Sequence, residues 1–278
     1  MPMTRRARLR GAAAIVAIAG FTAIVAGLGT ASSGTANPSR QPMPSGNLPG
    51  WRRVFADNFT RNVALGHFPS AVARSWGGTY RDGTLDTVKN GAYMPTKVVS
   101  IAHGLLNIHL HSSRGIPLGA ALVPTIPGAR GRDGGQLYGR YVVRFRTDPV
   151  PGYKMVILLW PDSGNWPTDG EIDFPEANLN SNIWGHVHHQ GGTSGNDQTG
   201  FRTSVMYARG WHTAAINWLP GKVILQLDGR TIGTTTTRVP NTPMHLVIQA
   251  ETSTDGSVPT PSAAGNFQVD WLVVYRRT

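Results

Sequence analysis

The chain has 278 residues, no cysteine, 26 Lys and Arg against 15 Asp and Glu, and a formal net charge of +11. Without cysteine it cannot be a disulfide-stapled scaffold, so a domain of this length depends on a buried apolar core. A positive balance favours anionic partners such as acidic polysaccharides, wall polymers or nucleic acid, but the basic residues are scattered rather than clustered, which argues against nucleic acid.

At the amino terminus Arg5, Arg6, Arg8 and Arg10 precede an uncharged stretch from Gly11 to Leu28, and small residues follow at Gly29-Thr30-Ala31 and Gly34-Thr35-Ala36. That order predicts a secretory signal peptide over residues 1–36 and an extracellular, secreted product. The Arg5-Arg6 pair leaves twin-arginine export open beside the general route. An uncharged stretch of 18 residues so rich in Ala and Gly is a poor membrane anchor. No stable membrane association is expected after cleavage, which removes four arginines and no acid and lowers the formal charge from +11 to +7. Residues 37–48, rich in Pro and Ser, read as a flexible linker. Residues 49–278, with the fold starting near Trp51, read as one catalytic domain that acts as a monomer.

The rest shows no sustained helical periodicity. Short alternating runs between turn clusters predict an all-β sandwich, with strands over Leu105–His111, Gly139–Thr147, Lys154–Trp160, Ile183–His189, His212–Trp218, Val223–Leu227, Leu246–Ala250 and Phe267–Tyr275. The stretches Thr79–Lys97, Ile116–Gly135 and Gly191–Thr203 read as loops that shape binding subsites. In the run Ile183 to His189, alternation sets Trp184, His186 and His188 on one face. If that face borders a cleft, His188 reaches a substrate or an acid. Two histidines alone do not make a zinc site. Gln249 falls on the face opposite Ile248 and Ala250 as a ligand for sugar hydroxyls, and Glu251 as a spare carboxylate.

Between Trp160 and Glu176 the sequence WPDSGNWPTDGEIDFPE places three carboxylates within six residues, among Ile172, Phe174 and Pro175. On a strand Glu171 and Asp173 share one face, and Ile172 and Phe174 the other. Glu176 is out of phase by one residue unless a bulge at Pro175 restores it. Three acids would then line one wall. Close like charges share protons unequally, which divides labour between a neutral acid and an ionised nucleophile or base, as glycoside hydrolysis requires. An acidic loop that binds a cation is the alternative. Trp160, Trp166 and Trp184 favour sugar, since sugar rings stack on aromatic faces.

The segment Glu171-Ile-Asp173-Phe-Pro-Glu176 resembles the ExDxxE signature of glycoside hydrolase family 16, in its bulge-containing, laminarinase-like branch. The likeness runs through Val54–Phe59, Gly104–Ile108, Tyr138–Arg144, Trp211–Trp218, Leu227–Gly229 and Val269–Tyr275. It implies a concanavalin-like β-jelly-roll sandwich with a concave glycan cleft. It also implies that Glu171 is the nucleophile, Glu176 the acid/base and Asp173 the residue that positions Glu171. Glu176 must be protonated to donate, and charged Glu171 and Asp173 would raise its pKa. His188 matches the family's cleft histidine, while His189 has no counterpart. The resemblance also implies a structural calcium on the convex side, held by Asp270 and a backbone carbonyl near Gly104, and no other cofactor. Phe174-Pro175 departs from the common pattern and leaves the substrate branch open. The function expected is a secreted endo-acting retaining hydrolase of a β-linked polysaccharide, a β-1,3 or mixed-linkage glucan. A non-catalytic carbohydrate-binding sandwich and a transglycosylase are the alternatives.

Overall fold

Alternation decides the architecture. In the segment Leu105–Ser113, residues Leu106, Ile108 and Leu110 are buried while Leu105, Asn107, His109 and His111 are at least partly accessible, the pattern of a strand packed on one face. A computed structural model describes residue 39 and residues 41–129, 131, 134–206 and 210–278. The expected signal peptide therefore lies outside the described residues. No helix among those described is long and apolar enough to cross a membrane.

The described residues form sixteen strands: β1 (Trp51–Asp57), β2 (Thr84–Leu85), β3 (Ala92–Tyr93), β4 (Val99–Ala102), β5 (Leu105–Ser113), β6 (Ile116–Leu122), β7 (Gly139–Thr147), β8 (Tyr153–Pro161), β9 (Glu171–Asn178), β10 (Asn182–His188), β11 (Gln198–Met206), β12 (His212–Leu219), β13 (Lys222–Leu227), β14 (Arg230–Thr235), β15 (Met244–Thr252) and β16 (Gly265–Arg277). They pair in the order β11-β10-β9-β8-β15-β6-β5-β16-β7-β12-β13-β14, with β1 added to β16 and β4 to β5. The sheet curves back on itself as a jelly roll. Its first six strands carry Met155, Ile157, Leu159, Ile172, Phe174, Leu246 and Ile248 into one core. The other half supplies Val143, Phe145, Ile216, Trp218, Leu225, Phe267 and Leu272 to the same core.

The expected strands are present. Four more fall in stretches read as loops: the two-residue β2 and β3 within Thr79–Lys97, and the longer β6 and β11. β6 is buried on both faces from Pro117 to Leu122, so it has no period-two signal to read. β11 ends the pairing order, and none of its residues is fully buried, which is how an edge strand looks in sequence. A register shift in β16 between Val269 and Trp271 reverses its phase at Asp270. Trp271, Val273 and Tyr275 then face outward with Val142 and Ala215 as a second apolar patch, against which Met43 and Trp51 pack. Trp271 Nε1 donates to the Gln41 carbonyl at 2.9 Å and Arg53 Nη1 to the Pro44 carbonyl at 3.2 Å. Residues 41–48, expected as free linker, are instead a strap over this patch, because the shift leaves two large aromatic rings in need of cover.

Phe174 projects from β9 into the core and is 1% exposed. Truncation to Ala leaves a cavity between the two halves of the sheet and is expected to lower stability by about 3–5 kcal/mol. Chemical denaturation of the purified domain checks this.

Candidate active site

The bulge predicted at Pro175 is where the acids need it. Across β10, Trp184 faces Glu176 and His186 faces Asp173, so three steps on β9 match two on β10. β8 reports the same shift, with Val156 opposite Glu176 and Leu158 opposite Asp173. The extra residue returns Glu176 to the face of Glu171 and Asp173. Gly185 lies opposite the bulge, where a Cβ would come within 2.8 Å of the Phe174 ring and 2.9 Å of the Asp173 carbonyl. Only glycine fits against the bulged backbone.

All three acids line one open cleft of about 570 Å³. Its floor follows the outward phase of β8 and β15, namely Lys154, Val156, Leu158, Trp160, Val247, Gln249 and Glu251. Trp160 and Trp166 stack with centroids 6.0 Å apart, and Trp166 meets the His188 ring edge-on. Trp160, Trp166, His188 and Gln249 all line this cleft. Trp184 is not among the lining residues. It shares the outward phase of His186 and pairs with Glu176, but its ring is covered by the Arg202 guanidinium, which lies 5.6 Å from the ring centroid. His189, unexplained in sequence, faces away from the acids. Its Nδ1 pairs with Asp197 at 2.8 Å and its Nε2 with Thr199 at 2.8 Å, and Arg238 also binds Asp197. The clamp fixes the loop whose Gly195 and Asn196 border the cleft beside Trp166.

The electrostatics depart from the expectation in one respect. His188 Nε2 lies 3.2 Å from Asp173 and 3.9 Å from Glu171. Glu176 has a cationic or hydrogen-bonding partner on each oxygen, Lys154 Nζ at 3.0 Å from Oε1 and His186 Nδ1 at 3.0 Å from Oε2. Burial alone would raise the Glu176 carboxyl, but Lys154 and then His186 outweigh it and hold it at about 2. Burial and the charge and hydrogen bond of Asp173 push Glu171 well above the usual carboxylate range. Glu176 was expected to be the raised group. Lys154 reverses the order: Glu171 is the carboxyl pushed up and Glu176 the one held down.

Lys154 was legible but overlooked. It is the one charged residue in the run Tyr153–Leu159, and it stands in phase with Val156, Leu158 and Trp160. Its Nζ is also 3.5 Å from Glu251 Oε1, and the other oxygen of Glu251 accepts from Tyr93 Oη at 2.7 Å and from the Thr87 amide at 3.1 Å. Burial lowers the Lys154 ammonium, but Glu176 and Glu251 together keep it above its ordinary value. The ligand atoms of Glu171, Asp173 and His188 lie within 4.8 Å of one another, as do those of Asp173, Glu176 and His186. Because Lys154 already supplies the positive charge facing Glu176, we assign these groups to proton chemistry.

The expected calcium ligands form no such set. Asp270 sits at the β16 shift, its carboxyl is raised by burial, and one oxygen accepts the Ser39 hydroxyl. Gly104 occupies the turn between β4 and β5 with φ +74°. No cluster of three acidic or histidine ligand atoms surrounds Asp270 among the described residues. The Asp270 carboxylate is thus placed against the Ser39 hydroxyl, just ahead of the strap.

A family model described as glycosyl hydrolases family 16 matches residues 131–273, just over half of the chain. No curated protein sequence matches significantly. Solved structures do. The laminarinase from Rhodothermus marinus aligns with TM-score 0.66 and 23% identity over 82% of this chain and 98% of that one. The laminarinase catalytic domain from Thermotoga maritima aligns with TM-score 0.65 and 17% identity over 82% and 99%. The Bacillus licheniformis beta-glucanase aligns with TM-score 0.61 and 18% identity over 81% and 98%. At these identities the likeness is one of fold. The family match runs through every strand that carries a cleft acid, and on that ground the chain belongs to glycosyl hydrolase family 16 and is a glycoside hydrolase.

Proposed function

We propose that the chain is a secreted, endo-acting, retaining glycosidase whose substrate is a β-1,3 or mixed-linkage β-glucan. The observation that carries this is the β9 bulge, which sets Glu171 and Glu176 on the same wall of a cleft with stacked tryptophans. An open cleft lets a long polymer lie across the acids, as internal cleavage requires. Glu171 attacks the anomeric carbon and forms a glycosyl ester while Glu176 protonates the departing oxygen. Glu176 then takes a proton from water as the water attacks the ester, which restores both carboxyls and the original configuration. Asp173, hydrogen-bonded towards Glu171 and 3.2 Å from His188, orients the nucleophile. The fold neighbours are laminarinases and a beta-glucanase, which supports glucan over galactan.

A panel of purified glucans and galactans, assayed for reducing ends, tests the reading. Laminarin-type or mixed-linkage glucan is expected to fall rapidly in chain length, with the first-formed reducing end in the β configuration by NMR. Binding with no new reducing ends would favour a lectin-like role, and products longer than the substrate would reveal transfer to sugar.

A further inference from the structure

Glu176 has to be neutral when it protonates the leaving oxygen, yet Lys154 sits 3.0 Å from it in the resting site. A second acceptor lies within the lysine's reach. Glu251 Oε1, 3.5 Å from Nζ, is buried and has no hydrogen bond of its own, while Oε2 is fixed by Tyr93 and the Thr87 amide. Half of Glu251 is thus anchored and half is open towards the lysine. A small rotation of the Lys154 side chain would exchange one carboxylate for the other without exposing either.

We propose that Lys154 is a positioning residue that alternates between Glu176 and Glu251, holding Glu176 as a carboxylate in the empty cleft and releasing it when a glycan is bound. The inference rests on the glycosidase reading. In the released state Glu176 accepts the proton held by Glu171, so Glu171 becomes the carboxylate that attacks. One proton moves within the site and its total charge is unchanged. Asp173 is placed for this relay, since its carboxylate has an oxygen within 4.8 Å of ligand atoms of Glu171 on one side and of Glu176 on the other. The titratable groups that line the cleft with Glu176 are Lys154 from β8, Glu251 from β15, His186 and His188 from β10, Glu171 and Asp173 from β9, and Tyr93 from β3. Lys154 stands between Glu176 and a second carboxylate, Glu251.

Two measurements on the folded domain decide it. In protein labelled with [5-¹³C]glutamate, the Glu176 resonance is identified by its loss in Glu176→Gln. Its titration midpoint is expected to rise by more than about one pH unit in Lys154→Met, and an unchanged midpoint overturns the proposal. This needs no turnover, so a protein that cleaves no glycan counts against the glycosidase reading while the lysine is still judged. The second measurement is the basic limb of kcat/KM on laminarin. Lys154→Met is expected to move it to higher pH and Glu251→Gln to lower pH, because the lysine then has only Glu176. In the Lys154→Met background the Glu251→Gln shift is expected to fall by more than half. Equal shifts in both backgrounds would reduce Glu251 to simple repulsion of Glu176 and overturn the exchange. The double variant removes Lys154 together with Glu251, the second carboxylate it faces, and its denaturation midpoint beside that of the wild type separates proton control from misfolding.

Discussion

Glu171→Gln is expected to abolish turnover, by roughly 10⁴–10⁶-fold in kcat, while the dissociation constant for an unreacted oligosaccharide changes only a few-fold. The amide keeps the shape of the carboxyl but cannot form the glycosyl ester, so the loss falls on the transition state and not on binding. Binding is expected to survive because Trp160, Trp166 and Gln249 line the same cleft and are left intact. Calorimetry with the variant, beside a reducing-end assay, separates the two effects. Full activity in this variant would remove Glu171 from the reaction.

Glu176→Gln is expected to behave differently. Loss of a general acid typically costs 10²–10⁴-fold, but only in proportion to how much the leaving oxygen needs a proton. On a polysaccharide the alkoxide is a poor leaving group and the loss should be near the upper end. On a nitrophenyl glycoside the first step needs little help, so the glycosyl ester should accumulate and appear as a burst. Azide, which needs no general base, should then restore turnover and yield a glycosyl azide with retained configuration. The absence of both burst and rescue would show that Glu176 is not the acid/base. The same substitution removes the carboxylate from between Lys154 and His186, leaving Glu251 as the lysine's only acidic partner at the cleft floor.

Much of this site could be read along the chain because the information is local. The phase of Glu171 and Asp173, the need for a bulge at Pro175 and the outward set of His186 and His188 all follow from side chains alternating on a strand. So does the division of most strands into a core face and an outer face. The features that could not be read along the chain depended on contacts between different strands and loops. Trp184 was placed correctly by phase, but the Arg202 guanidinium from a neighbouring strand covers its ring. His189 could not be explained until the chain brought Asp197, Thr199 and Arg238 around it. The strap over residues 41–48 depends on Trp271 and Tyr275, more than two hundred positions away.

By itself, then, the sequence determined the fold class, the three acids and their common wall, since each is a consequence of period-two geometry within one segment. Which acid holds the proton was decided only in three dimensions. Glu176 and Lys154 are 22 residues apart and Lys154 and Glu251 nearly a hundred, and only the pairing of β9 and β15 on either side of β8 brings that charge between them. A buried carboxyl takes its ionisation from its nearest charges in a medium that screens them poorly, so the proton's location depends on the tertiary structure.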